Sequence, residues 1–239
     1  MRKNETLTIF LSSPFNGAHG ERIAFMNVAL PSLSKLCGSK GIHVTVVDMR
    51  WGITDEMSVR HETVRTCLSA IDQSDIFLGY FGARYGSSNY STSPGPNGRT
   101  WIDEDVDYAA SFPQYNYIKD YGDRSITEIE FLHAITHDRN YDKPDKPVSF
   151  VFFRDPKYDE YMYNKTVASI GTGGGGDPSW WYITEKDSAG PLQRLKDEIK
   201  AIASQSGKYI SVFEDYPDPQ LGASLMQACC ESLLSLIHI

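Results

Sequence analysis

The chain has 239 residues, enough for one domain with a large core and sizeable insertions. Hydrophobic residues make up 41% and charged residues 23%, close to the globular average, which excludes disordered and fibrous classes. A formal net charge of −8, with no Lys/Arg block to offset it, argues against direct nucleic-acid binding because phosphate backbones are repelled.

The longest apolar runs, such as Ile76 to Tyr80 and Val148 to Phe153, are far too short to span a bilayer. The polar start Met1 to Glu5 has no signal-peptide pattern, so neither secretion nor a membrane partner is expected. Cys37, Cys67, Cys229 and Cys230 show no C-x-x-C spacing, and the adjacent pair cannot easily bridge itself. Reduced thiols in a cytoplasmic protein are the simplest expectation. The Asn-x-Ser/Thr triplets at Asn4, Asn89 and Asn164 then read as chance matches.

In chain order, Thr6 to Leu11 reads as a first strand ending in Ser12-Ser13-Pro14. Ile23, Met26, Leu30, Leu33 and Leu36 recur at helical spacing, with Pro31 expected to kink or split that helix. Ile42 to Val47 is β-branched and predicts a second strand, left through Asp48-Met49-Arg50-Trp51-Gly52. A helix with Val64, Leu68 and Ile71 on one face leads to a third strand, Ile76 to Phe81. After Gly82-Ala83-Arg84-Tyr85-Gly86 a polar stretch runs to about Arg124, a first insertion at about 87–124.

Ser125 predicts the next helix start: its hydroxyl caps the helix, and Glu128 three residues on is placed to close a capping box. Val148 to Phe153 is continuously apolar, as in a central parallel strand covered on both faces. An irregular second insertion follows at about 155–191, with Tyr158, Tyr161, Tyr163, a Gly173 to Gly176 run and Trp180-Trp181. Then come a helix Leu192 to Ala203, a short strand Tyr209 to Phe213 and a helix from Leu221 to about Leu236. The alternation calls for an α/β fold with a doubly wound, five-stranded parallel sheet and helices on both faces, all in a single domain over 1–239. The apolar end Leu233 to Ile239 fits either a piece of something longer or a terminal helix docked on the sheet.

In open α/β sheets ligands bind beyond the carboxyl ends of the strands. That rule gathers Ser12, Ser13, Pro14 and Phe15 after strand one, Asp48, Arg50 and Trp51 after strand two, and Arg84 and Tyr85 after strand three. Glu128 is assigned to the cap, which leaves Glu130 without a structural role. Four residues after Ile126 and four before Ala134, it stands at the edge of the buried stripe, either facing the sheet mouth or solvated on the helix. Arg50 and Arg84 suit phosphate or carboxylate oxygens, or salt bridges to Asp48 or Asp75, while Trp51 suits stacking on a base or packing on a helix. His133 and His137 have helical i, i+4 spacing but no third ligand, so no metal site is expected. The glycine run lacks a following Gly-Lys-Ser/Thr and is no phosphate loop.

On Phe10-Leu11-Ser12-Ser13, Gly20-Glu21-Arg22, Asp48-Met49-Arg50-Trp51-Gly52-Ile53-Thr54, Cys67-Leu68, Gly82-Ala83-Arg84-Tyr85-Gly86 and Ser125-Ile126-Thr127-Glu128-Ile129-Glu130, the chain resembles a known family. That family is the TIR-like domain of unknown function at or near the front of large NACHT-containing ATPases with TPR or WD repeats, such as vault and telomerase-associated or nephrocystin-type proteins. Pro14 stands where threonine is usual, and Asn16-Gly17 replaces a more charged pair. The resemblance implies a flavodoxin-like strand order 2-1-3-4-5 and a signalling module that contacts other domains of its own protein and self-associates. Some TIR domains cleave NAD between nicotinamide and ribose with a glutamate in the helix after strand three. Glu130 is similar in place, with NAD or a related nucleotide as substrate and no required cofactor. Other TIR domains work by self-association alone, and a nucleoside-transferring enzyme is a third reading.

Overall fold

A computed structural model describes residues 5–49, 60–89, 92–136, 147–181, 190–206 and 210–236. Strands β1 (Glu5–Ser12), β2 (Ile42–Asp48), β3 (Ile76–Phe81), β4 (Val148–Arg154) and β5 (Ile210–Tyr216) pair in parallel in the order β2-β1-β3-β4-β5. The doubly wound α/β sheet and its strand order are those expected. Eight α-helices accompany it among the described residues: α1 (His19–Ala24), α2 (Leu30–Gly38), α3 (Thr63–Asp72), α4 (Trp101–Ala110), α5 (Ile126–Ile135), α6 (Pro156–Gly171), α7 (Gly190–Ser206) and α8 (Pro219–Leu236).

Successive side chains point to opposite faces of a strand, so each central strand feeds two cores. Phe10, Phe77, Phe81 and Phe153 meet α3, α4, α5 and α7 on one face. Ile9, Leu11, Leu78 and Phe152 meet α1, α2 and α8 on the other. This double burial is why β3, and β4 apart from Ser149 and the terminal Arg154, are apolar.

One close approach sets the height of α5. The ring of Phe131 lies 5.0 Å from that of Phe77 and 4.7 Å from that of Phe81, directly over Gly79. A Cβ at Gly79 would come within 2.1 Å of the Phe131 ring, so only glycine lets the helix settle there. Phe131 in turn positions its neighbour Glu130.

Three expectations need correction. The first helical stretch is split, as expected, but ahead of Pro31 and not at it. A five-residue π-helical segment, Phe25–Ala29, joins α1 to α2, and Pro31 falls in the first turn of α2. The extra residue of a π turn rotates the helical phase. Phe25, Ala29, Leu33 and Cys37 are therefore buried, whereas Ile23 and Met26 stay exposed.

The stretch 87–124 is not only loop. It holds α4, packed on α3 through Ile102, Val106 and Ala109, and a 3-10 segment, Pro113–Tyr121. Thr100 and Asp103 form the capping box that starts α4. The stretch 155–191 contains the sixteen-residue α6, capped by Asp155, and a 3-10 turn, Pro178–Trp180. Only Asp159 of α6 is buried, so the apolar periodicity that would reveal a helix is missing.

Strand β5 begins at Ile210; Tyr209, like the final residues 237–239, lies outside the described residues. All four cysteines are buried and free. None of the described helices is long and apolar enough to cross a membrane.

Candidate functional site

Strand β1 lies between β2 and β3, and the connections that follow β1 and β3 pack on opposite faces, which makes the carboxyl end of β1 the switch point of the sheet. A cavity of about 290 Å³ opens there, near the lower end of the about 300–1,000 Å³ usual for small-molecule sites. Leu11 and Ser13 line it from the end of β1, Thr63 and Cys67 from α3, and Ile126 and Glu130 from α5. Phe15 and Trp101, half exposed, stand at its rim.

Glu130 is only 8% exposed, and its Oε2 accepts a 2.5 Å hydrogen bond from Ser12 Oγ. Burial raises its carboxyl above the usual glutamate range, while the Ser12 hydroxyl, the Cys67 thiol and Arg22 pull it back toward the charged form. The Cys67 thiol is pushed well up, first by burial and then by the neighbouring Glu130. It behaves as a neutral donor beside a carboxylate rather than as a nucleophile.

Arg22 crosses the back of the pocket. Its Nη2 donates to Ser13 Oγ at 2.8 Å and to Ser13 O at 3.2 Å, and its Nη1 pairs with Asp48 at the end of β2. The guanidinium also faces the rings of Phe15 and Tyr80, each at 5.8 Å. Arg22 Nε has no hydrogen-bond partner among the described residues, although the side chain is almost fully buried. The cavity is therefore lined by one carboxyl group and one guanidinium-bearing side chain between apolar walls and an aromatic rim.

The sequence-predicted residues divide accordingly. Ser13, Pro14, Phe15 and Glu130 line the cavity, and Ser12 reaches Glu130 directly. Arg84 and Tyr85 do not join it. Arg84 Nη1 donates to the Ser179 carbonyl at 2.7 Å, tying the turn after β3 to the 3-10 turn before 181 instead of to a ligand. Tyr85 is buried in the α3–α5 core with its hydroxyl on Glu128. Arg50, Trp51 and His137 lie outside the described residues.

Ser125 Oγ accepts from the Glu128 N–H and so caps α5, but Glu128 does not return the bond. The Ser125 N–H donates to Tyr85 OH, and the Glu128 carboxylate takes Arg124 and Arg194. Asp48 and Asp75, weighed as arginine partners, meet Arg22 and the Thr8 N–H respectively. His133 places one ring nitrogen on Tyr117 and the other on Asp72.

Arg22, Thr63, Cys67 and Trp101 were missed as lining residues. Arg22 was visible only as part of the Gly20-Glu21-Arg22 match, and Thr63 and Trp101 come from helices whose packing the sequence does not disclose. The class these features define is a doubly wound α/β domain with a carboxylate-bearing pocket at its switch point. The chain belongs to the family described as "Domain of unknown function (DUF4062)", which matches residues 8–168.

A TPR repeat-containing protein of Dictyostelium discoideum is 30% identical over 206 residues, covering 85% of this chain and 11% of that protein. Telomerase protein component 1 of Rattus norvegicus and that of Mus musculus are each 29% identical over 153 residues, 64% of this chain and 5% of theirs. The chain thus spans 11% or less of these relatives, in which the matching segment is one part of a much larger protein. No solved structure matches the chain at a significant level.

Proposed function

We propose that this chain is a TIR-like signalling module of a larger cytoplasmic NACHT or repeat protein, whose pocket binds NAD or a related nucleotide and cleaves its N-ribosyl bond. The observation that carries this reading is Glu130, a carboxyl group buried in the wall of the cavity at the switch point and held by Ser12. Breaking an N-ribosyl bond builds positive charge on the sugar while the nicotinamide leaves neutral. A carboxylate close to the anomeric carbon stabilises that oxocarbenium-like state or traps it covalently. The Arg22 side chain on the cavity wall suits a ligand carbonyl or phosphate oxygen, Phe15 and Trp101 are placed to flank a ring, and Arg50 and Trp51 are assigned to the same ligand.

The test is nicotinamide release from NAD by concentrated protein, wild type against Glu130→Gln. Release that the substitution abolishes supports cleavage; no release from the wild type at any concentration removes it.

A second reading, a non-catalytic assembly domain that associates with itself or with neighbouring domains, is favoured by α6. Tyr161, Val167 and Ile170 project from that helix into solvent, with Trp180 exposed in the turn beyond it. Light scattering of the wild type against Tyr161→Ser/Ile170→Ser tests it: equal masses at high concentration would count against self-association through this helix.

A further inference from the structure

The pocket has a second polar corner that Glu130 does not touch. Thr63, in the first turn of α3, donates its backbone N–H to Asp105 Oδ1 of α4 at 3.0 Å. Thr63 lines the cavity, and the buried Thr63 Oγ1 and Asp105 Oδ2 both have no hydrogen-bond partner among the described residues. Thr63 is 6% exposed and Asp105 1%. Buried polar atoms are nearly always satisfied, so two unpartnered oxygens, one on a residue of the cavity wall and one on the residue that pairs with its backbone, point to a polar group of the ligand or its reacting water.

Burial holds the Asp105 carboxyl up to about 6, against the pull of the nearby Thr63 side chain, the Thr63 and Val64 N–H groups and the His61 ring. The titratable groups around it are His61, itself 3.3 Å from Glu104, the Cys67 thiol, and Glu130 beyond that thiol. Cys67 feels both carboxyl groups, so Asp105 and Glu130 flank one short stretch of α3. Two carboxyl groups in unlike settings around one pocket are the arrangement by which an enzyme separates charge stabilisation from proton transfer.

We propose that Asp105, acting through the Thr63 hydroxyl, accepts the proton of the water that completes the reaction at Glu130; this rests on the N-ribosyl cleavage proposed above. In the first step the C1′–N bond breaks, its electron pair goes to the ring nitrogen, and neutral nicotinamide leaves a sugar cation facing Glu130. In the second, the water oxygen bonds to C1′, its proton passes to Thr63 Oγ1, and the hydroxyl proton of Thr63 passes to Asp105 Oδ2. A carboxylate titrating near 6 is ionised at neutral pH yet basic enough for this role. Glu130 stabilises the cation, whereas Asp105 is needed only when the incoming nucleophile must lose a proton.

That distinction supplies the test. A pyridine such as 3-acetylpyridine captures the same cation through a nitrogen that carries no proton, so base exchange requires Glu130 but not Asp105. Wild type, Asp105→Asn, Thr63→Val and Glu130→Gln are incubated with NAD and excess 3-acetylpyridine, and ADP-ribose and the exchanged dinucleotide are separated by chromatography. The expected result is hydrolysis reduced about 100-fold in Asp105→Asn and Thr63→Val, with exchange changed by less than about threefold, and both products lost in Glu130→Gln. Thr63→Ser, which keeps the hydroxyl, restores hydrolysis. Hydrolysis that survives in Asp105→Asn, or falls in step with exchange in both Asp105→Asn and Thr63→Val, overturns the relay while leaving cleavage standing. A wild type that yields neither product overturns the cleavage reading and the relay with it.

Discussion

Ser12 Oγ donates to Glu130 Oε2 at 2.5 Å, joining the last residue of β1 to the second turn of α5 across 118 positions of sequence. The bond fixes which way the glutamate points. It also favours the ionised carboxylate against a burial that disfavours it.

Replacing Ser12 by Ala removes that bond and leaves a buried carboxylate short of a donor. A loss of about 1–3 kcal/mol is expected in urea unfolding, because hydrogen bonds to charged groups are worth more than neutral ones. The Glu130 carboxyl moves further up, so NAD cleavage falls most steeply on the acid side of its pH profile. An unchanged unfolding midpoint together with an unchanged profile would show that the bond does not matter.

Gly79→Ala drives a methyl group into the Phe131 ring. Overpacking of this kind is expected to cost about 1–3 kcal/mol. It also displaces Glu130, the residue before Phe131, so nucleotide turnover falls by at least about tenfold at a protein concentration where the chain stays folded. Gly79→Ala/Phe131→Leu, which shortens the obstructing side chain, recovers part of the stability; no recovery would place the strain elsewhere.

Arg154 at the end of β4 is fully buried, paired with Glu21 of α1 and Asp159 of α6, with its Nη2 on the Gly17 carbonyl at 2.7 Å. Tyr216 OH of β5 donates to the same Glu21 at 2.9 Å. Burial works against the arginine's charge, but Glu21 and Asp159 more than offset it. Arg154→Met strands two buried carboxylates and is expected to cost about 3–5 kcal/mol, most of it regained in Arg154→Met/Glu21→Gln/Asp159→Asn. Because Asp159 is the buried residue of α6, limited proteolysis within 156–171 should accelerate in the single variant. A triple variant no more stable than the single one would contradict this account.

The Asp105 carboxyl links stability to pH. Its folded value of about 6 lies above the ordinary 3.8, so between those values the folded chain holds a proton that the unfolded chain releases. Its contribution is therefore complete below about pH 4 and is lost as pH rises through about 6. Asp105→Asn, neutral throughout, should match the wild type near pH 4 and be the more stable of the two at pH 7.5. Thermal melts at both pH values check the sign, and a constant difference between the two chains would refute the linkage.

Much of the fold was legible because it depends on local pattern. The apolar runs of β3 and β4, broken in β4 only by Ser149 before its final Arg154, the β-branched run of β2 and the Ser125 cap each follow from short stretches of chain. The misreadings have local causes too. The π-helical segment shifted the phase of the first helix, and α6 buries too little to show a stripe.

By itself the sequence determined the α/β class, the parallel sheet and the helix that carries Glu130, since period and capping are properties of neighbouring residues. Only the tertiary structure decided the company Glu130 keeps. It brought Ser12, Arg22, Thr63 and Cys67 to the pocket, set Asp105 behind Thr63, and drew Arg84 and Tyr85 away to other partners. Those choices follow from how closely helices pack on the sheet, down to the missing side chain of Gly79, and no periodicity along the chain encodes a distance between residues more than a hundred positions apart.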